Sequence, residues 1–191
     1  MTDSDDDADF TGELAAVARF LTLIRNTPFF QALAKPLDDM TRQEAQAYAT
    51  ALGFPDAYPA VLEDWYDAAA AAETLSLDSP AWEQEQQLRR ALALEAEAQV
   101  DPRVLEVALT RIGQQAQEVL TPAAEEAAAF LGIVDEAFLL AAVGAGVEAC
   151  HLAALVLATG HDATHPFSLK FSLFEAGRWP IGIIGSSFNI F

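Results

Sequence analysis

Three helix starts appear in the sequence in the same two-residue form. A side chain that caps helix N-termini well is followed directly by proline at Ser79-Pro80, Asp101-Pro102 and Thr121-Pro122. Proline suits the first helical position because its missing N–H would be unpaired there and its fixed φ is already helical. Apolar residues spaced three and four positions apart extend each start into a helix. The chain is therefore predicted to be mainly α-helical.

Seven helices follow from these signals. Thr41 and Glu44 stand at the spacing of a capping box, which adds another start. The predicted ranges are 12–26, 41–52, 59–75, 80–99, 102–119, 122–131 and 134–158, with a loop at 53–59. The last of these has apolar or small residues on every side, so it is predicted to be the buried central helix. Gly144 and Gly146 within it require a close neighbour or a kink to offset their low helix propensity.

The pattern changes after Gly160. Phe167, Leu169, Phe171 and Leu173 alternate with polar residues, which predicts a strand with one buried face. Two further strands are predicted at 181–184 and 188–191, and the short loops between them favour antiparallel pairing. The predicted fold is a compact bundle of six to seven helices with a small C-terminal antiparallel β-meander packed on it. Residues 1–10 are predicted to be a disordered acidic leader, and 11–191 a single domain with the bundle at 11–160 and the meander at 166–191.

The strongly negative net charge of the chain limits which kinds of molecule it can bind. The chain has 29 acidic and 10 basic residues, a formal net charge of −19. Such a chain is repelled by nucleic acid and by anionic membrane surfaces, because binding to phosphates depends on Lys and Arg. The acidic surface either only keeps the protein in solution through mutual repulsion or binds a basic partner protein. No secretory signal pattern and no uninterrupted apolar run of about 20 residues is found, so a cytoplasmic location is predicted.

All three histidines and the only cysteine fall between Cys150 and His165. His151, His161 and His165 could supply three imidazoles to a zinc ion and leave one position for water. Glu148 stands three residues before His151 on the same helix face and would act as general base. The structural alternative is that Glu148 and His151 form a hydrogen-bonded pair, and that the other two histidines belong to an ordinary connector.

The second group of candidate residues lies in the C-terminal region, which is not acidic. Arg178 and Trp179 are adjacent, and these two residue types are enriched where proteins bind one another. Phe191, the last residue, is a third interface candidate. The structural alternative is that Trp179 packs on the bundle core and Arg178 pairs with an acidic helix.

Three functions therefore remain open from the sequence. The leading prediction is a non-catalytic, partner-binding accessory protein without a cofactor, of which an immunity or inhibitor protein against a basic target is one form. The second is a zinc-dependent hydrolase built on the histidines. The third is a protein that forms homo-oligomers by adding its C-terminal strand to the sheet edge of another copy.

Overall fold

The computed structural model describes residues 16–75 and 79–191, so the predicted acidic leader and the start of the first helix lie outside the described residues. It confirms a mainly α-helical fold with a small sheet. The described elements in chain order are α1 (16–26), α2 (Asp39–Ala51), β1 (Tyr58–Val61), α3 (Trp65–Leu75), α4 (Pro80–Gln99), α5 (Pro102–Leu131), α6 (Glu136–Ala158), α7 (Pro166–Glu175), β2 (Pro180–Ile184) and β3 (Ser187–Ile190).

Two of the three proline-marked starts are confirmed. The Ser79 side chain accepts a hydrogen bond from Trp82 N at the start of α4, and Asp101 accepts one from Arg103 N at the start of α5. The third prediction was wrong, because α5 continues through Pro122. Because proline has no N–H, the carbonyl of Glu118 lacks its usual hydrogen bond from residue 122. Pro122 and Glu118 are both exposed. Solvent can therefore hydrate that carbonyl, while the opposite face of the helix stays packed.

The prediction for α2 was wrong in detail. Asp38, not Thr41, is the N-cap, and its carboxylate accepts from Thr41 N at 2.8 Å. The helix therefore begins at Asp39.

Helix α6 is only partly enclosed, which corrects its prediction as a fully buried helix. Its mean hydropathy reaches 1.9, so it is long and apolar enough to cross a membrane by composition, but half of that window is buried inside the protein. One face packs on α5 through Phe138, Ala142 and Cys150. The other face is exposed and includes Leu140 and Glu148.

The two glycines of α6 are expected to respond to substitution in opposite ways. A Cβ at Gly146 would lie 2.5 Å from Leu120 Cδ2, whereas a Cβ at Gly144 would meet nothing within 4 Å. Leu120 is fully buried and has little room to move. Gly146→Ala should therefore lower the free energy of unfolding by about 1–2 kcal/mol through overpacking. Gly144→Ala should raise it by up to about 1 kcal/mol through helix propensity. Urea unfolding of both variants measures the difference, and equal effects would contradict the close packing of α5 and α6.

The strand predicted at 167–173 is instead helix α7. Phe167, Phe171 and Phe174 are buried at helical spacing. The helix begins with the same signal as α4 and α5, a cap followed by proline, in which His165 Nδ1 accepts from Phe167 N at 3.2 Å. The alternation of Phe and Leu with polar residues is compatible with a strand and with a helix. The N-cap at His165 followed by Pro166 is the signal that favours the helix.

The sheet is mixed, not an antiparallel meander. Strand β3 is central: it pairs antiparallel with β2, as predicted, and parallel with β1 from the first half of the chain. β1 lies in and after the segment predicted as a loop, and α3 begins after it, six residues later than predicted. Because β3 is paired on both sides, it has no free edge to add to a second copy, contrary to the prediction of self-association through it.

Candidate functional site

The structure does not bring the three histidines together. The rings of His161 and His165 lie 5.1 Å apart between centroids. His165 uses Nδ1 to cap α7, and His161 Nε2 contacts Glu95 Oε2 at 3.0 Å. His151 is exposed on α6. Among residues 16–75 and 79–191, no group of three or more His, Cys, Asp or Glu side chains could hold a metal ion. The described residues therefore do not assemble the predicted three-imidazole zinc site.

Glu148 and Cys150 have other roles in the fold. Glu148 pairs with Arg89 of α4, not with His151. Cys150 is fully buried, and burial raises the pKa of its thiol to about 12. A thiol with that pKa is not a nucleophile at neutral pH. Glu148 is therefore not placed beside the histidines as the general base predicted from the sequence.

The predicted interface residues are buried. Arg178 and Trp179 are 4 % and 5 % exposed, and Phe191 is 1 % exposed. Arg178 donates from Nη1 to the carbonyls of Ala32, at 2.5 Å, and Lys35, and from Nη2 to that of Pro36 at 2.6 Å. It thereby ties the C-terminal hairpin to the turns between α1 and α2. None of the three is presented to a partner at the surface of this structure.

Trp179 belongs to an aromatic cluster that leads outward. Its ring stacks on Trp65 with centroids 5.7 Å apart, and Phe138 and Phe191 pack around the pair. Trp65 Nε1 donates to Asp135 Oδ2 at 2.8 Å. The cluster therefore supports the segment that links α5 to α6 and the start of α3.

A cleft lies beside Trp65, between the start of α3 and the segment that links α5 to α6, and we call it the acidic cleft. Its volume is about 320 Å³, and its lining residues are Glu63, Asp64, Trp65, Tyr66, Leu131, Gly132, Ile133, Val134, Asp135 and Phe191. Two apolar side chains beside it are unusually accessible, Tyr66 at 81 % and Val134 at 95 %. Phe191, predicted as an interface residue, lines the same cleft from below. An apolar surface rimmed by charge is typical of a site for protein binding.

The carboxylates of the acidic cleft are held in place by the starts of two helices. Asp64 Oδ1 accepts from Asp67 N at the start of α3, and Asp135 Oδ1 accepts from Ala137 N at the start of α6, each at 2.9 Å. The hydrogen bonds from Trp65 and from Ala137 N lower the pKa of Asp135 below its ordinary value. Asp135 is therefore charged at neutral pH.

A second feature was not identified from the sequence, and we call it the Glu85 cluster: Tyr48, Glu85, Arg89 and Lys170. Glu85 is 5 % exposed and accepts from Tyr48 OH at 2.8 Å, from Lys170 Nζ at 2.7 Å and from Arg89 Nη2. Burial alone would raise the pKa of Glu85, but the charges and hydrogen bonds of Lys170 and Arg89 together outweigh it. They lower the pKa of Glu85 to about 2.

The signal for the Glu85 cluster was the position of a charge within an apolar stripe. Glu85 stands four residues after Ala81 and seven before Leu92, both buried on α4. A charged residue in the buried face of a helix requires a partner, and here α7 supplies Lys170. Since α7 was predicted as a strand, this partner was not recognised.

Comparison of the chain with protein-family models, with curated proteins and with solved structures finds no match.

Proposed function

We propose that the protein is a non-catalytic binding protein whose acidic cleft docks a basic segment of a partner protein. The observation that carries the proposal is the pairing of two highly exposed apolar side chains, Tyr66 and Val134, with three carboxylates around one cleft. A segment carrying Lys or Arg beside an apolar residue would satisfy both features. An immunity or inhibitor protein with a basic target is one form that such binding takes.

The distribution of basic residues adds to the support. Three of the ten, Arg89, Lys170 and Arg178, are largely buried and bound to groups inside the protein. They contribute little positive potential to the surface, so the exterior is more acidic than the composition alone indicates. A potential of this kind accelerates encounter with a basic partner and fixes its orientation.

We expect a synthetic peptide of alternating arginine and leucine to bind at the acidic cleft. In a titration of ¹⁵N-labelled protein, the largest shift changes should fall at residues 63–67 and 131–136. Affinity should be highest at about 10 mM salt, where the screening length is about 30 Å, and should fall steeply towards about 0.15 M. Tyr66→Ala should weaken binding by about tenfold through lost apolar contact.

A charge-matched pair of variants separates docking from general attraction. Glu63→Arg reverses a charge in the cleft, whereas Glu97→Arg makes the same change near the end of α4. That end of α4 precedes the start of α5, a helix of 30 residues and about 45 Å whose last residue lines the cleft. We expect Glu63→Arg to weaken binding about tenfold and Glu97→Arg to change it less than twofold. Equal losses in both variants, or shift changes spread over the whole acidic surface, would contradict docking at the cleft.

A further inference from the structure

A second cleft lies between α3, α4, α6, α7 and β2, and we call it the inner cleft. Its volume is about 200 Å³. The walls are mainly apolar, and their larger contributions come from Leu75, Leu152, Phe174 and Ile181. Phe174 is fully buried at the floor, while Trp82 is 41 % exposed at the rim. The inner cleft therefore has a closed apolar end and an open side.

The polar groups of the inner cleft are concentrated on Arg89, Lys170 and Glu148. Both cations are shared with Glu85, which is buried behind them as part of the Glu85 cluster. The Arg89 guanidinium also lies over the Trp82 ring, 5.5 Å from its centroid. Ion pairing on one side and the indole on another fix the guanidinium in one orientation, so that it is preorganised to bind a carboxylate.

The two carboxylates that hold Arg89 differ in how readily they can be replaced. Glu85 is enclosed and accepts from three side chains, so it cannot leave without breaking the buried cluster. Glu148 pairs with Arg89 Nη1, but its side chain is 48 % exposed and can turn to solvent. Arg89 Nε is buried and has no hydrogen-bond partner within the described part of the chain, so the guanidinium has one more donor than its present partners use. An incoming carboxylate can therefore take the place of Glu148 on Arg89 Nη1 while the Glu148 side chain turns to solvent.

We propose that the inner cleft binds a small organic acid, with its carboxylate on Arg89 in place of Glu148 and its apolar body along the Leu75, Leu152 and Phe174 wall. Lys170 lies at the same end of the cleft and adds positive charge for the ligand. Glu148 is in this arrangement an internal competitor that occupies the anion position when no ligand is bound. The cleft volume suits an aliphatic or aromatic monocarboxylate rather than a nucleotide or a sugar phosphate.

Hexanoate is the probe for this proposal, with hexylammonium and hexanol as controls of the same apolar body. Titration calorimetry and ¹⁵N shift changes of the full chain should show hexanoate binding with a dissociation constant of about 1 mM. The controls should bind at least tenfold more weakly. Glu148→Gln removes the competitor and should tighten hexanoate binding about tenfold. This result would not arise if Glu148 only stabilised the fold.

Two variants test the position of the ligand. Ala145→Leu adds volume on the α6 wall without changing charge and should reduce hexanoate affinity at least tenfold. Arg89→Lys keeps a cation beside Glu85 but removes the guanidinium fork, and should weaken binding at least fivefold. Thermal unfolding of each variant confirms that it is folded. Three results would each overturn the proposal. The first is that about 10 mM hexanoate binds neither the natural chain nor Glu148→Gln. The others are that hexylammonium binds as tightly as hexanoate does, or that Ala145→Leu binds hexanoate with unchanged affinity. None of these variants lies in the acidic cleft, so the outcome is independent of the proposed function.

Discussion

Replacing Glu85 with glutamine is expected to lower the free energy of unfolding by about 3–5 kcal/mol at neutral pH, the usual loss when one partner of a buried ion pair is removed. The variant leaves the ammonium of Lys170 without its carboxylate and Arg89 with only the half-exposed Glu148. A glutamine oxygen still accepts a hydrogen bond, so the loss reflects charge and not shape. Urea unfolding at neutral pH measures it.

The loss in Glu85→Gln should depend on pH in a defined direction. The pKa of Glu85 falls from 4.5 in the unfolded chain to about 2 in the folded protein. A depressed carboxyl pKa contributes stability that is complete above the unfolded value and is lost as pH falls through the folded value. The difference corresponds to about 3 kcal/mol by linkage. The gap between the natural chain and Glu85→Gln should therefore be constant near neutrality, narrow below about pH 4.5 and be smallest near about pH 2.

Glu83→Gln is the matched control, since Glu83 is exposed on the same helix. It should change the free energy of unfolding by no more than about 0.5 kcal/mol at any pH in this range. A gap for Glu85→Gln that stayed constant down to about pH 2 would show that the carboxylate is not held ionised by its partners.

Replacing Arg178 with methionine is expected to lower the free energy of unfolding by about 3 kcal/mol or more. Methionine fills similar space but leaves the carbonyls of Ala32, Lys35 and Pro36 without the guanidinium donors they now share. Hydrogen bonds from a charged donor are each worth about 1.5–3 kcal/mol, and Arg178, which is 4 % exposed, makes three of them. The segment they belong to is strained as well, because Phe30 and Ala34 have positive φ values of 64° and 58°. Arg178 therefore holds a backbone conformation that non-glycine residues adopt at a cost of about 1–2 kcal/mol each.

Arg178→Lys and Arg42→Met complete the comparison. Lysine keeps the charge but lacks the planar fork, so it should recover only part of the lost stability. Arg42 is exposed on α2, and Arg42→Met should stay within about 0.5 kcal/mol of the natural chain. Thermal unfolding and amide hydrogen exchange of residues 28–36 are the measurements. Exchange in that segment that is no faster in Arg178→Met would contradict the anchoring role.

Of the three helix starts predicted from a usual capping residue followed by proline, two were correct, and the one at Thr121 lies inside α5. Ser79 and Asp101 gave the starts of α4 and α5 correctly. The same arrangement at His165-Pro166 was interpreted as a connector, because histidine is not among the preferred caps and because the following residues also alternate as in a strand. The signal, a capping residue followed by proline, was therefore present in the sequence at the start of α7 as well.

The candidate sites were less accessible to sequence reasoning, because they depend on which segments meet in space. Closeness in sequence between His151 and His165 did not lead to convergence, since His165 is used as a helix cap and His151 remains on the exposed face of α6. The acidic cleft combines three separate segments, 63–66, 131–135 and residue 191. The parallel partner of β3 could not be predicted from the short loops near the C-terminus, because it lies far away in sequence, at residues 58–61.

The central place of β3 determines the order in which the nascent chain can complete its fold. β1 is synthesised in the first third of the chain, yet its only strand partner within the described residues is β3, near the other end. Pairings so distant in sequence form slowly, because loop closure must precede any gain from contact. During synthesis the partner of β1 and the buried Phe188 that packs on Tyr48 are both still missing. The helices can form as the chain emerges, but the sheet that ties the first half of the protein to the second is expected to assemble only after translation has passed residue 190.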